Sequence, residues 1–319
     1  MRRALRHLAI GAALATMAAP AWAADTVRVG KAVGIAWTFM GVDVGQHEGI
    51  FKTYGIEVEI TAFGGDAKLQ QAFASGSVDI GLGSGPAMAF AVKGAPIVAV
   101  ASFGNEPRDI SVVVGADSAI KSTADLKGKL IAISTAGSLT DWLAKRVSVT
   151  EGWGVDGIKR VAIGDAPAQT AALVSHAVDA QMGSTENGYK LEERGEGRVL
   201  VGMETFVPHF VTHVIFARKD LVAQKPEVVE RFLKGFFAAV GYIRSHKAET
   251  TAIAMPLQNE SAAVLDKAWD HEGPMLALDG QFDPEGLALI KDSFVDMGIL
   301  DRRPADDEIL TRRFLPVRP

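Results

Sequence analysis

The feature that most constrains this chain is an internal echo. Ala72, Ser75, Val78, Asp79, Gly83 and Ser84 recur 100 positions later as Ala172, Ser175, Val178, Asp179, Gly183 and Ser184. The two stretches read AFASGSVDIGLGS and ALVSHAVDAQMGS, and each has the pattern of a helix end, a tight turn, a strand and a Gly-Ser exit. Similarity at a fixed offset marks a repeated supersecondary unit, so two similar lobes are expected. Around both copies β-branched runs alternate with helical spacing. Strands are expected at Thr26 to Val33, Ile56 to Phe63, Val78 to Gly83, Ile97 to Phe103, Lys129 to Ile133, Lys159 to Ile163 and Ala177 to Met182. Helices are expected over 66–75, 138–151 and 167–175. Such alternation specifies an α/β protein with mostly parallel sheets. Beyond about residue 220 the pattern turns helical. Pro226 opens a helix that repeats Val229, Phe232, Phe236, Val240 and Ile243 on one face, and Asp283-Pro284-Glu285 starts another that ends near Gly298.

Composition removes several function classes. With 319 residues and 48% hydrophobic side chains the chain can bury a real core. It has no cysteine, which excludes disulfide scaffolds, thiol catalysis and cysteine-ligated zinc or iron–sulfur sites. A formal net charge of -5 is the wrong sign for a nucleic-acid binder, which needs a Lys/Arg-rich face. Arg2, Arg3 and Arg6 precede an apolar run from Leu8 to Ala19 and the small-x-small pattern Ala21-Trp22-Ala23. Residues 1–23 therefore read as a secretory signal, too short in its apolar part for the roughly 20 residues that span a bilayer. The mature protein is expected near Ala24, outside the cytoplasm.

Open α/β sheets bind ligands beyond the carboxyl ends of their strands, where helix N-termini present free N–H groups. Both repeat copies deliver a Gly-Ser there. Ser84-Gly85-Pro86 fits a helix start, and Ser134-Thr135-Ala136-Gly137-Ser138 leads into another, with Asp141 three residues past Ser138. Reacting constellations are missing. Leu82, not glycine, stands two residues before Ser84, so no nucleophile elbow forms, and no GxxxxGK tract occurs. His209 and His213 lack an HExxH context, although either can face a cleft. Arg108 is the nearest cationic candidate, with Glu106 and Asp109 beside it as competing partners. Trp37, Phe103, Trp142 and Phe210 are candidates for an aromatic pocket lining.

Several segments resemble the periplasmic solute-binding proteins of nitrate, sulfonate, taurine and bicarbonate ABC importers, whose fold is shared with thiamine-pyrimidine synthesis proteins. They are TVRVG at 26–30, GIFKTYGIEVEI at 49–60, LQQAFASGSVDIG at 69–81, KGAPIVAVAS at 93–102 and IKSTADLKGKLIAIS at 120–134. GSLTDWLAK at 137–145 and PEVVERFLKGFFAAVGYI at 226–243 complete the match. The resemblance implies a two-lobe periplasmic-binding-protein fold of type II with two crossovers and a helical C-terminal region. Lobe one would be 25–109 plus 214–319, and lobe two 110–213. It implies a monomeric receptor that binds a small organic anion, of the sulfonate or carboxylate class, between the lobes. The anion would pass to an ABC permease and ATPase, with no cofactor or metal. The alternative is an extracytoplasmic enzyme on the same fold. Ligand contacts are expected from Ala36, Trp37 and Thr38, from Ser84 and Gly85, and from Gly137, Ser138 and Leu139. Ser84 and Ser138 would share one head group, helped by the N–H groups of Gly85 and Leu139. Glu186 and His209 are further candidates, Glu186 as an acceptor from a ligand hydroxyl or amine.

Overall fold

A computed structural model describes residues 24–319 apart from Ile35; the expected signal at 1–23 lies outside the described residues. Ten strands form: β1 (Asp25–Lys31), β2 (Ile56–Ala62), β3 (Ile80–Ser84), β4 (Ile97–Gly104), β5 (Ile110–Gly115), β6 (Leu130–Ile133), β7 (Lys159–Ala162), β8 (Ala180–Ser184), β9 (Gly197–Gly202) and β10 (His213–Arg218). They make two five-stranded sheets, ordered β2-β1-β3-β10-β4 and β7-β6-β8-β5-β9. The seven strands expected from alternation are all present, shifted by up to three residues at their ends. β5, β9 and β10 had no counterpart among them.

The echo has a structural meaning. In each sheet the first three strands are parallel, and the repeated aspartate performs the same task twice. Asp79 accepts from the Arg28 N–H at 3.1 Å and Asp179 from the Leu130 N–H at 2.8 Å. Their own N–H groups donate back to Arg28 O and Leu130 O. Each aspartate thereby pins the turn of one unit to the start of the strand beside it.

The sheets are mostly parallel, as expected, with four strands of each running one way and a single strand running the other. β10 runs antiparallel to β3 and β4, and β5 runs antiparallel to β8 and β9. Both are strands that follow a crossing from one sheet to the other. A chain that has just crossed enters at the facing edge and must run away from it, whereas βα units bring their strands toward it.

The helical tail packs where its apolar stripe directs it. In the helix Pro226–Ser245, Val229, Phe232, Phe236, Val240 and Ile243 are all buried, with Phe232 stacked on Phe51 at 5.3 Å between ring centroids. Asp283 caps the helix Pro284–Asp296 by accepting from the Gly286 N–H at 3.0 Å. Ser293 of that helix accepts from Trp142 Nε1 at 2.7 Å, which ties the tail to the helix Leu139–Thr150 that follows β6. Among the described residues no helix is long and apolar enough to cross a membrane.

Gly85 sits where the end of β3 meets the second crossing segment. Its N–H donates to Thr212 O at 2.9 Å, and a Cβ there would lie 1.9 Å from Val211 O. Backbone atoms cannot step aside cheaply. Gly85→Ala should therefore destabilise the fold by about 1–3 kcal/mol or more, read as a lowered unfolding midpoint in thermal and denaturant titrations.

Candidate functional site

A cavity of about 370 Å³ lies between the two sheets, at the carboxyl ends of β1, β2, β3, β6, β7 and β8. This is where the strand-end rule places a ligand. The first sheet contributes Ala32 to Gly34, Ala36, Phe39, Ala62 to Asp66, Lys68 and Ser84. The second contributes Ser134, Leu139, Thr140, Gly164 to Pro167, Gln169, Gln181, Gly183, Ser184 and Asn187. The floor is formed by the two crossings, through Asp109 and Ile110 on one and His213 on the other.

Three polar groups dominate the interior. His213 Nε2 and Asp109 Oδ2 are 2.5 Å apart, with side chains 3% and 2% exposed. Asp109 Oδ2 also accepts from Thr38 Oγ1 at 2.9 Å, while Phe39 and Phe103 pack on the His213 ring. Asp66, the first residue of the helix Asp66–Ala74, accepts from the Ser84 N–H at 3.0 Å and from Ser84 Oγ at 2.8 Å. Burial pushes its carboxyl up from the usual range, against the pull of the Ser84 bonds, of His213 and of the Leu139 N–H across the cleft. Four buried polar atoms on the wall have no protein partner: Asp109 Oδ1, His213 Nδ1, and both ends of the Gln181 amide. Buried polar groups are normally hydrogen-bonded, so unsatisfied atoms on residues that line a cavity make it the candidate binding surface.

Of the ten residues singled out from sequence, Ala36, Ser84 and Leu139 line this cavity. The others do not, each for a visible reason. The Ser138 hydroxyl caps its own helix, accepting from the Asp141 N–H at 3.4 Å, and bonds Ser134 at 2.9 Å; Ser134 and Thr140 take the wall positions instead. The Gly85 N–H is spent on Thr212 O. Thr38 supports Asp109 from behind. Gly137 donates to Asp141 at 2.9 Å and faces Phe90. Trp37 is 2% exposed and Glu186 is fully buried, so both lie beneath the wall. His209 is a surface residue, 67% exposed near Asp283 and Glu285, and His213 is the histidine that faces the cleft. Arg108 pairs with Glu106 at 2.6 Å. Phe103, Trp142 and Phe210 are core residues, and the aromatic rings on the wall belong to Phe39 and Phe63.

Asp66, Asp109 and Gln181 were missed, while His213 is one of the two histidines expected to be able to face a cleft. Gly64-Gly65-Asp66, at the end of an expected strand and the start of an expected helix, carries a readable signal for the first of them. Asp109 and His213 meet across 104 positions of sequence, and no local pattern announces that.

A family model described as "NMT1/THI5 like" matches residues 37–250. A Haemophilus influenzae chain named "Putative thiamine biosynthesis protein" is 29% identical over 241 residues, covering 73% of this chain and 74% of that one. Among solved structures, the alkanesulfonate-binding protein SsuA from Xanthomonas axonopodis pv. citri, bound to MOPS, superposes with a TM-score of 0.79 at 20% identity. That match covers 90% of this chain and 98% of SsuA. The desulfurization enzyme DszB superposes at 0.62 with 16% identity, covering 91% and 97% of the two chains. The architecture is that of the periplasmic binding proteins, and the fold alone does not separate receptor from enzyme.

Glu186 offers a test of the region beneath the cavity. It is fully buried, held by the Gln258 amide, and its carboxyl is pushed up to about 8, first by burial and then by Glu260. The folded protein thus keeps a proton that the unfolded chain releases near 4.5. Stability from this proton is complete below that value and is lost as pH rises toward about 8. Thermal unfolding from pH 5 to 8 should show declining stability. In Glu186→Gln the decline should be shallower, by up to one proton, or about 1.4 kcal/mol per pH unit.

Proposed function

The chain belongs to the NMT1/THI5-like family, and on that premise we propose that it is the extracytoplasmic solute receptor of an ABC importer. It would act as a flytrap in which lobe one (25–109 and 214–319) and lobe two (110–213) close on a small solute and present it to a permease and ATPase. The observation that carries this reading is the set of unsatisfied buried atoms on Asp109, Gln181 and His213, residues that line the cleft between the two sheets. The enzyme alternative needs an activated nucleophile, and the Ser84 hydroxyl donates to Asp66 rather than to a histidine.

The wall chemistry favours a different solute from the expected sulfonate or carboxylate. Asp66, Asp109 and Asp165 line the cavity against Lys68. An anion there would be desolvated beside carboxylates, whereas N–H donors would satisfy Asp109 Oδ1 and Gln181 Oε1, and a ring nitrogen or carbonyl acceptor would satisfy Gln181 Nε2. Phe39, Phe63, Leu139 and Pro167 supply apolar faces for a flat ring. The solute of this reading is a neutral or cationic, amino-substituted nitrogen heterocycle. Thiamine is built from such rings, and the name of the Haemophilus relative agrees with that class.

Thermal shift against panels of amino-substituted heterocycles, amines, sulfonates and carboxylates tests the assignment. A true solute at 100 times its Kd should add about 2.7 kcal/mol of stability. Gly65 tests closure: it holds φ +123°, and a Cβ would lie 2.5 Å from Thr135 Cγ2 on the opposite side of the cleft. Gly65→Ala should weaken the solute at least tenfold, for a steric cost of about 1–3 kcal/mol, and abolish ligand-induced compaction in small-angle scattering. Unchanged affinity and full compaction in this variant would count against the flytrap.

A further inference from the structure

We propose that Asp66 sets the charge of the solute by occupying, as a tethered carboxylate, the cradle in which this site would otherwise hold an anion. The inference rests on the receptor reading above. The Ser84 hydroxyl and the Ser84 N–H both donate to Asp66, and Leu139 lines the cavity from the other sheet. Leu139 is the first residue of a 12-residue helix whose N-terminal dipole favours negative charge. Two such donors beside a helix N-terminus suit a carboxylate or sulfonate head group, and both donors are spent on Asp66. The side chain reaches this point because Gly64-Gly65 turns the chain sharply after β2, which places Asp66 at the start of its helix and inside the cavity. It is 3% exposed.

Occupancy and charge act together. The donors are consumed, so an incoming anion finds no partners there, and the fixed carboxylate faces it. The other charged or titratable groups on the wall are Asp109, Asp165, His213 and Lys68. What remains unsatisfied belongs to other residues of the wall: Asp109 Oδ1, His213 Nδ1 and the Gln181 amide. That arrangement leaves one region closed to anions and another open to N–H donors.

The test measures methanesulfonate and acetate binding by calorimetry and thermal shift in the native protein, Asp66→Ala, Asp66→Ser and Asp66→Asn. The native protein should bind neither anion measurably. Asp66→Ala should gain both, at least tenfold over native, since bonds from a site to a charged group are worth that factor or more. Both anions should also raise its unfolding midpoint, as chemical rescue. Asp66→Asn should gain neither, because its amide still fills the cradle. Asp66→Ser keeps one acceptor for Ser84 while vacating the second oxygen, and it replaces Asp66→Ala if that variant does not fold. Tight sulfonate binding by the native protein overturns the proposal. So does a cooperatively folded Asp66→Ala or Asp66→Ser that gains no anion. A native protein that binds no amino heterocycle, but whose Asp66→Ala variant gains anions, would count against the solute class above and leave the role of Asp66 standing.

Discussion

The contact between Asp109 and His213 is the one on which the arrangement of this molecule depends. Asp109 ends the first crossing between the sheets and His213 begins the strand after the second. Their 2.5 Å approach holds the two connecting segments side by side at the cavity floor. Thr38 bonds the same carboxylate oxygen from the loop after β1, and the rings of Phe39 and Phe103 exclude water from the imidazole. A buried polar pair of this kind is expensive unless nearly every atom is satisfied. Here one oxygen of Asp109 and one nitrogen of His213 are left for the cavity. The same pair that joins the crossings therefore also lines the cavity.

Acidity is unusually concentrated behind that floor. Glu186 and Glu272 are both fully buried, and both carboxyls are raised, in each case mainly by burial. Glu272 also feels Asp109, Glu186 and Glu204, so the group beneath the floor and the floor itself share one electrostatic environment. Glu260 is raised by burial too, although Lys190 pairs with it. These glutamates join the helix Thr185–Arg194 to the helices Lys247–Gln258 and Ala262–Glu272. Protons held in this interface spare it the repulsion of two bare carboxylates, which is why the linkage to pH runs toward stability in acid.

Duplication explains the frame but not the specificity. Asp79 and Asp179 brace equivalent turns, and Ser84 and Ser184 stand at equivalent strand ends. Yet Ser84 donates to Asp66, while Ser184 accepts from the Asn187 N–H at 3.2 Å. The position 100 residues after Asp66 is Ala166, which has no carboxylate to offer. Two lobes built alike thus present unlike walls, and the asymmetry falls on the residue that decides which charge the cavity accepts.

The sequence by itself determined the α/β class, the two related units, seven strands, the aromatic face of the helix Pro226–Ser245 and the strand-end location of the site. All of these follow from periodicity, capping and local turns, which act over a few residues. Tertiary structure alone decided that β5 and β10 run antiparallel, because their direction is set by where the chain re-enters after crossing. It also decided which hydroxyls face the cavity. Ser138 has the right residue type in the right segment, but its oxygen satisfies its own helix, and Thr140 two residues later takes the wall. The pairing of Asp109 with His213 and the bond from the Ala67 N–H to Thr135 Oγ1 join chain positions far apart. Such contacts are fixed by how two sheets and a helical tail close on one another, and local sequence carries no record of that geometry.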